Sequence, residues 1–201
     1  MYRGITWRAG LTTLSSFCVF LSACGAPEVA TSPSMDAVER ELEVSRHGQL
    51  LERIAIASEG LNGFTTDGCS GGLSLAWEQF SGQFPEFADN HGNLPPWQAC
   101  CVAHDRAYHG GGRDAHSASE SFELRRAADL ALRACVLQVG TDRSEDLRAL
   151  YGLTTDQVAS LYESVGDLMY RAVRLGGVPC TAEPWRWGYG WPECNAPSPD
   201  G

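Results

Sequence analysis

Apolar residues recur at helical spacing in three stretches of the chain. Steps of three and four predict a helix from Asp36 to about Ser58, and residues 96–109 continue without a helix breaker up to a run of three glycines. Two further stripes predict helices that begin at Ser117 and at Thr155. No stretch alternates between apolar and polar residues as a half-buried strand does. The pattern therefore predicts an all-α fold with long loops.

The first residues of the chain have the pattern of a secretory signal. Arg3 and Arg8 precede an apolar stretch over residues 11–21, which is too short to span a bilayer as a helix. The stretch ends in Leu-Ser-Ala-Cys, which resembles the bacterial lipobox, so Cys24 is the expected lipidation site. An ordinary signal cut near Ala26 is the alternative. We therefore expect an exported protein that is lipid-anchored to a bacterial membrane, facing the periplasm or the cell surface.

The rest of the chain is expected to form a tether and one domain. Residues 1–23 would be the signal peptide, and residues 24–35, which include prolines and serines, a flexible tether. With 201 residues, 43% of them hydrophobic, the chain is long enough for one sizeable core, which we place in residues 36–201. The segment from Cys180 to Cys194 contains four aromatic residues and predicts a cap closed by a disulfide.

Charge and cysteine content narrow the function. Fifteen basic and 25 acidic residues give a net charge of −10, which argues against nucleic acid as a partner. All fifteen basic residues are arginine, and the lack of lysine excludes a Schiff-base mechanism and a phosphate loop with its lysine. Eight cysteines in an exported chain favour disulfides over metal ligands. These features identify no protein partner.

Three motifs in a fixed order indicate the chemistry. Residues 100–108 have the sequence CCVAHDRAY, a glycine-rich DGCSGG lies upstream at residues 67–72, and Asp129 lies six residues before Cys135. These motifs resemble the active-site helix, the calcium loop and a later helix of secreted phospholipases A2. The resemblance covers residues 60–140. It implies a phospholipase A2-like fold in which two antiparallel helices are linked by a disulfide, with long loops and extra helices.

Helix geometry provides a check on this resemblance. Suppose that the two central predicted helices are antiparallel and linked by a Cys100–Cys135 disulfide. At about 1.5 Å per residue, His104 then lies about 6 Å and Tyr108 about 12 Å along the first helix from the link. Asp129 lies about 9 Å along its partner in the same direction. The carboxylate is therefore level with the gap between the imidazole and the phenol, which share one helix face.

The resemblance implies that the protein is an enzyme that hydrolyses an acyl ester of a glycerophospholipid in a membrane. His104 would act as the general base on a water molecule that attacks the ester carbonyl. Asp129, with Tyr108 beside it, would hold the other ring nitrogen, fix the tautomer and stabilise the imidazolium.

The same resemblance implies calcium as the cofactor. Asp105 would bind the ion through both carboxylate oxygens, and the backbone carbonyls of three loop residues would add further ligands: Gly68, Ser70 and Gly72. Calcium would polarise the carbonyl and stabilise the developing oxyanion. At the position of Ser70 the family usually has glycine.

The resemblance also implies how the cysteines pair. The expected disulfides are Cys69–Cys101, Cys100–Cys135 and, from the two cysteines left over, Cys180–Cys194. The other four histidines have no partner at a matching spacing and are expected on the surface: His47, His91, His109 and His116.

Two other functions are alternatives. Residues 68–72 match G-x-S-x-G, which would make Ser70 the nucleophile of a serine esterase if a buried strand preceded it. Residues 63–67 are a poor strand sequence. The other alternative is a catalytically silent lipoprotein on the same scaffold, which would bind at a surface or membrane interface through the aromatic residues within 185–191.

Overall fold

The computed structural model describes residues 35–57, 60–69 and 94–195, with side chains from residue 37 onward. They form five α-helices: α1 Met35–Ile56, α2 Gln98–His109, α3 Ala118–Asp142, α4 Ser144–Tyr151 and α5 Thr155–Gly176. No strand occurs within those ranges, which confirms the all-α prediction. None of the helices there combines the length and apolar character needed to cross a membrane. The predicted signal peptide, the lipidation site Cys24 and the tether up to residue 34 lie outside the described residues.

Helices α1, α3 and α5 follow the apolar stripes of the sequence and α2 lies in the stretch without a helix breaker, whereas α4 was not predicted. Helix α4 has eight residues, of which only Leu147 is buried. Two turns are too short for a periodic pattern to be distinguished from a loop. The helix begins at Ser144, directly after α3 ends at Asp142, and Arg143 caps both helices.

Polar side chains satisfy the free amides at the starts of α3 and α5. Ser117 caps α3 by accepting a hydrogen bond from the Glu120 amide at 3.1 Å. The Glu120 carboxylate accepts from the His116 amide instead, so only half of a capping box forms there. Helix α5 has the complete capping box between Thr154 and Gln157.

Helix α3 is the centre of the domain and contacts α1, α2 and α5. A disulfide joins Cys100 of α2 to Cys135 of α3, and further along α2 the side chain of Tyr108 meets that of Arg125. Residues later in α2 thus contact residues earlier in α3, so the two helices are antiparallel. On its other side, α3 approaches α5 so closely that a Cβ at Gly140 would lie 2.4 Å from the Tyr162 ring.

The segment after α5 forms an aromatic cap on the end of α2. Its amides at Gly188 and Gly190 donate to the carbonyls of Tyr108 and His109, at 2.7 and 3.1 Å. The Trp187 ring packs edge-on against the Tyr108 ring, with centroids 5.2 Å apart. The Cys180–Cys194 disulfide closes the segment, as the sequence predicts.

Disulfide bonds are confirmed, and the cysteines are joined in the pairs that the resemblance implied. Cys69 is bonded to Cys101, which attaches the loop of residues 60–69 to the first turn of α2. The neighbouring Cys100 is bonded to α3. Two consecutive residues of α2 therefore link it to two different parts of the chain.

Candidate active site

The facing sides of α2 and α3 bring an imidazole and a carboxylate together. His104 Nε2 lies 2.9 Å from Asp129 Oδ1. The His104 side chain is nearly buried and Asp129 is completely buried. Because an ionised carboxylate only accepts hydrogen bonds, we assign the ring hydrogen to Nε2. The lone pair of the neutral ring is then on Nδ1, where the ring can accept a proton.

Tyr108 lies one turn after His104 and binds the same carboxylate oxygen. Its hydroxyl donates to Asp129 Oδ1 at 2.6 Å, and its ring lies against the His104 ring with centroids 4.1 Å apart. Burial raises the pKa of Tyr108 well above its usual value, and the nearby charge of Asp129 adds to this effect. The phenol therefore stays neutral and acts as a hydrogen-bond donor.

Three further charged side chains, here called the Glu43 cluster, lie behind this group: Glu43 of α1, Arg125 of α3 and Arg174 of α5. Arg174 Nη1 donates to Asp129 Oδ2 at 3.0 Å and Nη2 donates to Glu43 Oε2 at 2.6 Å. Arg125 Nε donates to the Tyr108 hydroxyl at 3.0 Å, and its Nη1 donates to Glu43. None of these three residues belongs to the sequence motifs that predict the site.

The Glu43 carboxylate is strongly acidic because of this cluster. Burial on its own raises the pKa of Glu43, but contact with His47 and the charges of Arg125 and Arg174 lower it to about 2. The ionised Glu43 carboxylate therefore pairs with both arginines. Such pairing matters because a charged group that is buried without a partner has a desolvation penalty on the order of several kcal/mol.

A cavity of about 90 Å³ adjoins the His104 ring. Its inner walls are mostly apolar and come from α3, α5 and the aromatic cap: Leu132, Met169, Ala172, Val173 and Trp185. Asp67, Gly68 and Asp105 also line it. The cavity is therefore lined by the imidazole, by apolar side chains and, at the part called its polar end below, by Asp67, Gly68 and Asp105.

Oxygen donors of the expected calcium site lie at this polar end. Asp105 Oδ2 accepts a hydrogen bond from the Thr66 hydroxyl at 2.5 Å, and that hydroxyl also accepts from the Gly68 amide at 3.0 Å. Burial raises the pKa of Asp105, and the charge of Asp67 contributes further. A cation there would relieve this repulsion, and oxygen ligands are those that calcium prefers.

Side chains alone do not complete a metal site in the part of the chain that the structure describes. No group of three or more His, Cys, Asp or Glu residues there could hold an ion. Of the three loop residues whose backbone carbonyls the resemblance implies as ligands, Gly68 lies within the described residues and lines the cavity. The other two expected ligands, Ser70 and Gly72, lie outside the described residues.

The prediction that His47 and His109 lie on the surface is wrong, because both are buried. The His47 ring contacts the Ser121 hydroxyl through Nδ1 at 2.7 Å, and its Nε2 lies 3.5 Å from Glu43 Oε1. The His109 ring packs against the Tyr189 ring of the aromatic cap. Of the other two histidines, His116 is exposed as predicted. His91 lies outside the described residues.

The chain matches no known protein-family model, no curated protein and no solved structure at a significant level. The structure brings together the three residues predicted to be catalytic, His104, Tyr108 and Asp129, and places Asp105 and Gly68 at the same cavity. The serine-esterase alternative receives no support, because the described residues 60–69 that precede Ser70 contain no strand.

Proposed function

We propose that this protein is a calcium-dependent, phospholipase A2-like hydrolase that cleaves an acyl ester of a glycerophospholipid. The observation that carries the proposal is the joint contact of His104 and Tyr108 with one oxygen of the buried Asp129, beside an apolar cavity. Exposed His-Asp pairs are common on helices, but a buried pair that adjoins a cavity is typical of general-base sites.

In the proposed reaction, His104 Nδ1 accepts a proton from a water molecule while the water oxygen bonds to the ester carbonyl carbon. Asp129 stabilises the imidazolium through Nε2–H, and Tyr108 keeps the carboxylate in place. The tetrahedral species then collapses, the bond to the alkoxy oxygen breaks, and Nδ1–H protonates that oxygen. Fatty acid and a lysophospholipid leave, and His104 is again neutral.

Calcium, held by Asp105 together with the loop carbonyls of Gly68, Ser70 and Gly72, would stabilise the negative charge on the former carbonyl oxygen. The apolar walls of the cavity would bind the acyl chain near the ester. We also propose that the protein is exported and lipid-anchored through Cys24, which would keep it close to a membrane.

The test is release of fatty acid from mixed phospholipid vesicles, with calcium or with a chelator, by the wild type and by His104→Gln. The exposed His116→Gln is the matched control. We expect calcium-dependent release by the wild type and by His116→Gln, and a loss of about 100-fold or more for His104→Gln. Equal release by His104→Gln would refute the proposed base, and release that persists in chelator would refute the role of Asp105.

A non-catalytic binding module is the second candidate, and one observation favours it. The Trp185 side chain lines the cavity and yet is 42% exposed, and tryptophan is favoured at membrane interfaces. Vesicle binding by the wild type, lowered by Trp185→Ala and not accompanied by fatty acid release in calcium, would select this function over hydrolysis.

A further inference from the structure

The Arg174 guanidinium connects a buried acid, Asp129 of α3, with a partly buried acid, Glu43 of α1. One nitrogen donates to Asp129 Oδ2 at 3.0 Å and the other to Glu43 Oε2 at 2.6 Å. Asp129 thereby uses Oδ2 for the arginine and keeps Oδ1 for His104 and Tyr108. Such a division fixes the rotation of the carboxylate, because each of its oxygens has a separate donor.

The backbone of Arg174 is itself held in place. Arg125 Nη2 donates to the carbonyl of Val173 at 2.7 Å and to that of Arg174 at 2.9 Å, at the last turn of α5. Glu43 then accepts from both arginines. Both the side chain and the backbone of Arg174 are therefore fixed by partners on other helices.

Glu43 also limits how far Arg174 neutralises the charge of the Asp129 carboxylate. An arginine that paired with Asp129 alone would reduce the attraction between this carboxylate and an imidazolium at His104. Because Arg174 shares its charge with Glu43, it can orient the carboxylate with less of this effect. A lysine would keep the charge but lacks the planar fork that reaches both acids.

We propose that Arg174, held by Glu43, is a positioning residue that aligns Asp129 with His104 Nε2. The expected effect on kcat rests on the proposed function, whereas the expected alignment of Asp129 with His104 rests on the hydrogen bonds alone. Arg174→Met should lower kcat by about 100-fold, since misplacement of a catalytic group by about 1 Å has an effect of that order. KM should change by about twofold at most, because Arg174 acts through Asp129 and not on the substrate.

The kinetic experiment compares Arg174→Met, Arg174→Lys, Glu43→Gln and the matched control Arg171→Met, an exposed arginine of the same helix. We expect wild-type kcat for Arg171→Met, partial recovery in Arg174→Lys relative to Arg174→Met, and a smaller loss in Glu43→Gln. A kcat for Arg174→Met within about twofold of the control would overturn the proposal. Full rescue of kcat by Arg174→Lys would also overturn the proposal, because charge alone would then suffice. A KM that falls together with kcat would overturn it too, because Arg174 would then act on substrate binding.

A second measurement does not depend on activity. In ¹⁵N-labelled protein, the Nε2–H of His104 should give a downfield proton resonance, identified by its loss in His104→Gln. We expect Arg174→Met to shift or broaden this resonance while Arg171→Met leaves it unchanged. If the wild type shows the resonance but releases no fatty acid, the proposed function fails and the positioning role is still tested. An unchanged resonance in folded Arg174→Met would contradict the alignment.

Discussion

His104 Nε2 and Asp129 Oδ1 are 2.9 Å apart across the interface between α2 and α3. The disulfide between the same two helices lies one turn before the histidine, at Cys100, and joins Cys135 six residues after the aspartate. The link therefore holds the two helices in register close to the place where the ring and the carboxylate meet. Alignment of His104 with Asp129 depends on this register and on the Glu43 cluster behind the two side chains.

Replacing Asp129 by Asn should nearly abolish the proposed reaction. An amide can present a donor to His104, which would favour the wrong tautomer, and it does not carry the charge that stabilises an imidazolium. We expect the rate of fatty acid release to fall by about 10²- to 10⁴-fold. Asp142→Asn, an exposed position at the end of α3, should be unaffected in the same vesicle assay. Comparable losses in both variants would contradict the role of Asp129.

Tyr108→Phe should affect stability. The change removes the donor to Asp129 and leaves Arg125 Nε without its acceptor in a buried environment. A buried group that loses its partner costs about 1–3 kcal/mol. Urea denaturation should show this decrease in the free energy of unfolding, with Tyr170→Phe on α5 as the control. A decrease no larger than that of the control would show that the phenol contributes little.

Acid should destabilise the fold in two steps. Burial lowers the pKa of His47 below 6.5, so the unfolded chain takes up this proton first and stability falls as the pH drops below about that value. The pKa of Glu43 falls from 4.5 to about 2, so stability falls again between these two values. The second step corresponds to about 3 kcal/mol at most. Urea denaturation at several pH values measures both steps.

The first step should be missing in His47→Gln and the second in Glu43→Gln. Both variants will be less stable than the wild type at pH 7, so the comparison is made on the slope of the unfolding free energy against pH. A wild-type slope in either variant would assign that step to another group.

Two glycines separate the effect of backbone conformation from that of side-chain crowding. Gly60 and Gly68 both have a φ near +70°, but a Cβ at Gly60 would meet nothing within 4 Å, whereas one at Gly68 would lie 1.8 Å from Gln98 Nε2. Each change to Ala should cost about 1–2 kcal/mol for the left-handed conformation. Gly68→Ala should cost more in urea denaturation and should also weaken the calcium dependence of fatty acid release. Equal effects of the two changes would show that Gln98 moves aside freely.

The resemblance implies the pairing of His104 with Asp129, and helix spacing agrees with it once the Cys100–Cys135 link is assumed, because the rise per residue of a helix is fixed. The buried face of α3 contains a further signal in the sequence. Its positions follow steps of three and four, and two of them are charged: Phe122, Arg125, Asp129, Leu132 and Val136. A charged residue in a buried stripe requires a partner, so Arg125 could have been identified as part of the site.

Glu43 and Arg174 could not have been identified in this way. They are separated by 131 positions and meet only because α1 and α5 both pack near α3. On its own helix, Arg174 lies in the last turn of α5, where basic residues are common for a local reason, the helix dipole. Local spacing therefore explains its presence without indicating its partners.

The consecutive cysteines of α2 link this helix to two parts of the chain that contribute to the site. Cys101 attaches the loop that contains Asp67 and Gly68, and Cys100 attaches the helix that contains Asp129. A thiol reductant that opened both bonds would release the loop that contains Asp67 and Gly68 and the helix that contains Asp129 at once. A chain whose thiols stayed reduced would therefore lack both of the cross-links that hold these two parts of the site to α2.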